Sequence, residues 1–303
     1  MDKNDTPQRC GFIALIGAPN AGKSTLINQL VGAKVAIVSP KVQTTRTRVT
    51  GIAMHENSQI IFIDTPGIFA PEKRLDRSMV HAAWEGVKDA DAVAILVDVS
   101  RKNPLGDTQR ILDGLKGNTK PVALVLNKID LIPKDRLIVL AHEFNEAFPF
   151  EKIFMIAALN NDGVPDLMQY FIEKIPEGVF LYPEDEITTL PMRLLAAEIT
   201  REKIFLQLHK ELPYSCTVET ETFDESNPEK WLIEQTIYVQ RESQRAIVLG
   251  HKGARIKAIG TAARKDMRDQ FEVPVHLQLF VKVRDAWLED PERYRAMGLE
   301  YKV

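Results

Sequence analysis

Apolar residues follow two rhythms along this chain. Up to about residue 175 they gather in short, nearly unbroken runs: FIALIG (12–17), IIFID (60–64), AVAILVDV (92–99), PVALVLN (121–127) and KIFMIAA (152–158). Runs this short and this apolar suit strands covered on both faces. Between them lie stretches of helical period at 23–32, about 75–88, 107–116, 134–147 and 164–174. Strand and helix in alternation predict an α/β domain over 1–175, with a mostly parallel sheet flanked by helices.

The rhythm breaks after Ile175. The segment IPEGVFLYPEDEITTLP (175–191) carries three prolines and a run of acids, and 176–191 reads as a linker. Beyond it the order becomes helix (192–208), strand (213–223), strand (231–241), short helix (243–249), helix (254–270) and strand (275–283). Fewer strands, two of them consecutive, predict a second domain over 192–303 of the α+β class with an antiparallel pair.

Composition changes this picture little, but charge distribution does. The net charge is only −3. Yet Pro183–Gln240 holds 12 acidic and 5 basic residues, a local −7, whereas Arg241–Asp285 holds 10 basic and 5 acidic, a local +5. A basic segment in an acidic protein is a candidate phosphate footprint or a solvated helix face. Two cysteines, Cys10 and Cys216, stand far apart without metal-ligand spacing, which fits a reducing cytoplasm better than a disulfide framework. The polar N-terminus lacks the apolar core of a signal peptide, and no run is long enough to span a membrane.

Chemistry enters at the strand ends. Gly17-Ala18-Pro19-Asn20-Ala21-Gly22-Lys23-Ser24 follows the first strand and opens a helix at Ser24-Thr25, the context that the GxxxxGK[ST] pattern requires. The glycines let backbone amides turn toward phosphate oxygens, and the helix N-terminus adds positive potential. Lys23 can reach the β- and γ-phosphates and the Ser24 hydroxyl can bind Mg²⁺. Asp64-Thr65-Pro66-Gly67 closes another strand. Its carboxylate faces the ligand crevice and would hold Mg²⁺ through water, while the Gly67 amide senses the γ-phosphate. Asn127-Lys128-Ile129-Asp130 closes a third. Asp130 can accept from two guanine N–H groups, a pairing that adenine leaves empty. Lys128 can lie along the base and Asn127 can brace the loop. Within Gln43-Thr44-Thr45-Arg46-Thr47, one threonine can reach the metal; Thr45 is preferred and Thr44 is the alternative. The amides of Ala157 and Ala158 can touch the base. The three motifs in this order separate a GTP-binding protein from an ATPase or a small-molecule kinase.

In the second domain Gly250-His251-Lys252-Gly253 stands between an apolar IVL and a helix, amid Arg245, Arg255, Lys257, Arg264 and Lys265. The GxxG loop of KH domains clamps the backbone of four nucleotides. Lys252 supplies charge, and Ile256 and Ile259 are candidate lining of the adjacent groove. With 16 glycines, about one GxxG is expected by chance. The second example, Gly114-Leu115-Lys116-Gly117, reads as a helix end. Trp231 and Trp287 read as packing residues rather than base stackers.

GAPNAGKST, the QTTR segment, DTPG and NKID, together with the C-terminal half, resemble the Era family of bacterial GTPases over essentially the full chain. That resemblance implies a P-loop GTPase domain joined to a KH-type domain, with GTP/GDP and Mg²⁺ as ligands. It implies binding near the 3′ end of small-subunit (16S) ribosomal RNA, assistance to small-subunit assembly, and no DNA partner. It further implies peripheral association with the inner membrane. Ile68, after DTPG, stands where many signalling GTPases carry a water-orienting glutamine, so hydrolysis is expected to be slow. Lys23, Thr45, Asn20 and Gly67 are then the catalytic candidates, with K⁺ held partly by Asn20. Ala157 departs from the family by replacing a serine, which removes a hydroxyl but no amide. Two versions remain open: a switch coupling GTP at 38–48 and 65–75 to RNA affinity, and an RNA-binding module in which GTP is a structural or sensing ligand.

Overall fold

A computed structural model describes residues 7–303 except 42–43, 47–48, 210–211 and 286. Gln43 and Thr47 of the threonine segment therefore lie outside the described residues. The chain forms two compact units: one of residues 1–36, 45–189 and 295–303, the other of 37–44 and 190–294.

The first unit is built on a six-stranded sheet in the order β2-β3-β1-β4-β5-β6. Its strands are β1 (Arg9–Gly17), β2 (Val49–His55), β3 (Ser58–Asp64), β4 (Ala92–Asp98), β5 (Val122–Asn127) and β6 (Lys152–Ile156). Five run parallel, and β2 pairs antiparallel with β3. The interleaved helices are α1 (Lys23–Val31), α2 (Arg74–Asp89), α3 (Pro104–Gly114), α4 (Lys134–Ala147) and α5 (Val164–Lys174). Side chains alternate across a strand. Ile13 and Leu15 of β1 accordingly join Leu26, Phe62, Leu167 and Phe171 on one face. Ala14 and Ile16 join Ile68, Val93, Ile95 and Phe144 on the other.

The sequence-predicted linker is structured. Gln59 fixes it from below: its carbonyl accepts from the Leu181 and Tyr182 amides at 2.9 and 3.0 Å, and its amide donates to the Tyr182 carbonyl at 2.8 Å. Further on, the Ile52 amide donates to Ile187 and the Thr188 hydroxyl to Thr50. This segment covers the open edge of β2, a common way of blunting an edge strand. The predicted second domain is likewise trimmed, because 295–303 belongs to the first unit. Leu299 is buried, the Ser78 hydroxyl of α2 donates to the Glu300 carbonyl at 2.6 Å, and Arg74 binds the Tyr301 hydroxyl.

The second unit holds α6 (Met192–Gln207), β7 (Thr217–Asp224), β8 (Trp231–Val239), α7 (Glu242–Leu249), α8 (Ala254–Phe271), β9 (Val275–Val283) and the first residues of α9 (Pro291–Ala296), up to Tyr294. The sheet order is β7-β8-β9, antiparallel then parallel. Residues 37–44 belong to this unit through α6. The Val38 amide donates to Glu202 at 2.8 Å, Arg201 donates to the Thr44 carbonyl at 2.6 Å, and Lys41 caps the Phe205 and Leu208 carbonyls at the helix end. Trp287 is 1% exposed and the Trp231 ring packs at a tilt against Phe223 and Phe271, so both are packing residues as expected.

Candidate nucleotide site and candidate RNA interface

Four parallel strands, β3-β1-β4-β5, end side by side, and their C-terminal turns carry Asp64, Gly17, Asp98 and Asn127. The switch in chain order at such an edge opens the crevice that α/β sheets use for ligands. Lys23 is 6% exposed and donates to the Gly17 and Ala18 carbonyls at 3.2 Å each, curling the loop around its ammonium group. Asn20 and Gly22 take left-handed backbone conformations, φ 64° and 101°. Gly22 is required for a second reason: a Cβ there would lie 2.2 Å from the Asn127 amide nitrogen. At Gly67 a Cβ would lie 2.9 Å from the Pro19 backbone, so the DTPG turn packs directly on the phosphate loop.

The Ser24 hydroxyl donates to Asp64 Oδ2 at 2.9 Å and lies 3.0 Å from the Thr45 hydroxyl, which is itself 3.4 Å from the same carboxylate oxygen. The structure thus brings Thr45 to the cluster, while the Thr44 hydroxyl turns away to the Lys41 carbonyl. Asp64 is fully buried, and its Oδ1 finds no hydrogen-bond partner among the described residues. Burial raises the Asp64 pKa to about 6, against the opposing pull of Lys23 and the two hydroxyls. Burial likewise lowers that of Lys23 to about 8, with Asp64 opposing. Each charge is poorly solvated, so a ligand bringing opposite charge is strongly favoured there.

At the base end, Asn127 donates to the Ala21 carbonyl at 2.8 Å and accepts from the Lys128 and Ala158 amides at 2.8 and 3.0 Å. One side chain thereby ties the phosphate loop, the NKID turn and the β6 exit together. Lys128 donates to the Asn20 carbonyl at 3.0 Å and pairs with Asp98 at 2.6 Å. Burial pushes the Asp98 carboxyl up, but the Lys128 and Ser100 hydrogen bonds outweigh it and leave its pKa lowered. Asp130 is exposed, and Ala157 and Ala158 are buried directly after β6.

In the second unit, the GxxG loop joins α7 to α8. Gly250, Lys252 and Gly253 all have positive φ, at 71°, 50° and 77°. A Cβ on Gly250 would sit 2.7 Å from that of Arg255, whereas one on Gly253 would meet nothing within 4 Å. His251, Lys252, Arg255 and Lys257 are exposed, and Ile256 is half-buried on the adjoining turn. Ile259 is a correction: it is 0% exposed and belongs to the core with Val248 and Val281, so it cannot line a surface groove. On the next residue, a Cβ built on Gly260 would lie 3.3 Å from Leu279 of β9, so this turn of α8 packs on the sheet.

Comparison with known proteins decides the family. A model described as "50S ribosome-binding GTPase" matches residues 12–128, and a KH-domain model matches 211–288. The GTPase Era of Sinorhizobium medicae is 58% identical over 295 residues, covering 97% of this chain and 95% of that protein. That of Mesorhizobium japonicum is 57% identical over 302 residues, covering 99% and 97%. The chain belongs to the Era family of GTPases. Among solved structures, a single-residue variant of Aquifex aeolicus Era bound to GDP·AlF₄⁻ is 39% identical with a TM-score of 0.88, covering 98% of this chain and 100% of that one. An Era in complex with MgGDPNP and nucleotides 1506–1542 of 16S ribosomal RNA is 40% identical with a TM-score of 0.89, at the same coverage.

Two residues that bond to the candidate site were missed by sequence reasoning. Asp98 ends a buried parallel strand as Asp64 does, and that shared position is a signal that could have found it. Arg101, whose guanidinium donates to the Pro19 carbonyl at 3.1 Å, lies in a polar turn with no pattern to mark it. No helix among the described residues is long and apolar enough to cross a membrane.

Proposed function

We propose that this Era-family GTPase holds GTP in the Lys23 loop, selects guanine through Asp130, and uses the bound nucleotide to set the RNA affinity of its GxxG domain. One observation carries the nucleotide half: the Ser24, Thr45 and Asp64 oxygens gather beside a buried lysine, with one Asp64 oxygen unpartnered among the described residues. Such a set of hard oxygen donors fits Mg²⁺. Ser24 and Thr45 would hold it directly and Asp64 through water, and when bound it supplies positive charge to the β- and γ-phosphates. Residues 17–25 would cradle phosphate with their backbone amides, Pro19 excepted because it has no N–H, and Gly67, packed on Pro19, would sense the third phosphate. Ile68, 2% exposed in the core, offers no group to aim water, consistent with slow turnover. The Asn20 side-chain oxygen at the strained loop tip suits a K⁺ ligand that the family resemblance implies.

For RNA, the Era structure with 16S nucleotides supports the same partner here, near the 3′ end, and a role in small-subunit assembly. Gly250, His251, Lys252 and Gly253 would clamp the backbone, with Arg255 and Lys257 adding charge and Ile256 lining the base groove. A cytoplasmic protein with peripheral membrane contact fits this reading. Residues 37–44 favour the switch over the module version: they belong to the second unit through α6, and the next residue, Thr45, reaches the Ser24–Asp64 cluster. The test is the affinity for a 16S 3′-end oligonucleotide with GDP and with a GTP analogue. Linkage requires the RNA to shift nucleotide affinity by the same factor. Equal RNA affinities in both states would end the switch and leave the module.

A further inference from the structure

Arg101 has no part in the sequence motifs, yet it holds the phosphate loop from behind. Its Nη2 donates to the Pro19 carbonyl at 3.1 Å, and its Nη1 pairs with Asp107 of the first turn of α3 at 2.9 Å. Its own carbonyl accepts from Arg136 of α4 at 2.6 Å, so backbone and side chain are both anchored. The groups that fix it in place belong to α3 and α4, outside the phosphate loop.

The carbonyl it binds is half of one peptide unit, whose other half is the Asn20 N–H. Among the described residues no peptide is cis, so this N–H points away from Arg101, to the opposite side of the loop tip. A cation on the carbonyl polarises the unit and strengthens its N–H as a donor. The same Pro19 backbone is what Gly67 packs against, so Arg101 and the DTPG turn grip the tip from two directions.

We propose that Arg101 is a positioning residue for hydrolysis, acting through the Pro19–Asn20 peptide to stabilise charge that develops on the departing diphosphate. The proposal rests on the nucleotide-site reading given above. In the reaction water adds to the γ-phosphorus and the bond to the β–γ bridging oxygen breaks. The electron pair remains on that oxygen, and the water's protons leave with phosphate or solvent. An N–H strengthened from behind gains most when that negative charge appears. It therefore favours the transition state and GDP over intact GTP.

This gives a signature that a mere loop brace lacks. In the full-length protein, Arg101→Ala lowers kcat about fivefold, because polarisation adds a fraction of one bond rather than the hundredfold or so of deleting a transition-state donor. GDP affinity falls by about the same factor, while affinity for GTPγS, which keeps the bridging oxygen, changes by less than about twofold. Arg101→Lys restores part of kcat, and Asp107→Asn, which frees the guanidinium, gives a smaller loss of the same pattern. A kcat unchanged in Arg101→Ala, or GTPγS weakened as much as GDP, overturns the proposal. Lys23→Ala separates the two layers. If it leaves GTPγS binding intact, the nucleotide-site reading itself fails; if it abolishes binding while Arg101→Ala is silent, only this proposal falls.

Discussion

The proposed nucleotide cradle and the proposed RNA loop both depend on glycine backbone, but they are built in opposite ways. In the cradle the polar groups are interior. Lys23, Asp64 and Asn127 are buried, and their partners are carbonyls, amides and hydroxyls drawn from separate strand ends. Around the GxxG loop the charged side chains stand in solvent, and the loop closes on itself through a bond from the Gly253 amide to the Gly250 carbonyl. A desolvated, cross-braced site is selective because a wrong ligand leaves buried groups unpaired. An exposed cationic loop binds by summed, salt-screened contacts and forgives single losses. The first suits recognition of one small molecule and the second suits tracking a polymer backbone.

The contrast is tested hardest by Asp130→Asn. Asp130 waits exposed, but a bound base would cover it, and the amide would then offer a donor where guanine also donates. GTP affinity is expected to fall about a hundredfold, as one hydrogen bond becomes a clash of donors and the other loses the help of the charge. Xanthosine triphosphate, with an acceptor at that edge, should bind the variant better than GTP does, while ATP gains nothing. Competition binding with the three nucleotides measures this, and RNA affinity without nucleotide should stay put. Were the loss no more than the severalfold typical of an exposed contact, the cradle would be no more selective than the loop.

How much of this can be read from sequence follows the same division. The strands of the cradle are buried on both faces, so β1, β3, β4 and β5 are legible as apolar runs and their polar exits as sites. Strand β2 is not, because VTGIAMH is an edge strand with Gly51 just before its centre and His55 at its end. Its partner along the open edge is the acidic, proline-bearing segment that reads as a free linker. Nothing local shows that Gln59 would hold Leu181 and Tyr182, since that contact spans about 120 residues of chain. The same holds for the tail: Glu300 and Tyr301 find Ser78 and Arg74 only in three dimensions. Ile259 is a different failure. Its spacing of four from Ala263 and eight from Met267, both buried, marks the core face of α8, so helical period read more strictly would have excluded it from the groove.

A middle-sized effect is expected from the loop's glycines, which are unequal. Gly250→Ala meets both a positive φ and a Cβ 2.7 Å from that of Arg255. Strain of about 1–3 kcal/mol should distort the clamp and lower affinity for a 16S 3′-end oligonucleotide about tenfold. Gly253→Ala meets only the positive φ, with open space around it, and should cost less, about 1 kcal/mol. Filter binding of both variants ranks them, and nucleotide affinity serves as the internal reference that neither should move. If Gly253→Ala were the worse of the two, close backbone approach by RNA, not packing on Arg255, would be what the loop's glycines protect.

The smallest effect is the most diagnostic of an additive surface. Lys252 sits exposed at φ 50° on the loop tip, where the proposed RNA reading has its ammonium meet a phosphate. Lys252→Gln keeps an unbranched polar side chain and the backbone demand while removing the charge. A single-strand phosphate contact releases about 0.7 of a counterion, so the slope of log affinity against log salt should become shallower by about that amount. At moderate salt the affinity itself should fall only severalfold, and uniformly for RNAs of different sequence, because a phosphate carries no base information. An unchanged slope would make Lys252 part of a solvated face, and the basic stretch of α7 and α8 would lose its claim as a phosphate footprint. A sequence-dependent loss would instead put the side chain on a base, giving this loop some of the selectivity that otherwise belongs to the buried site.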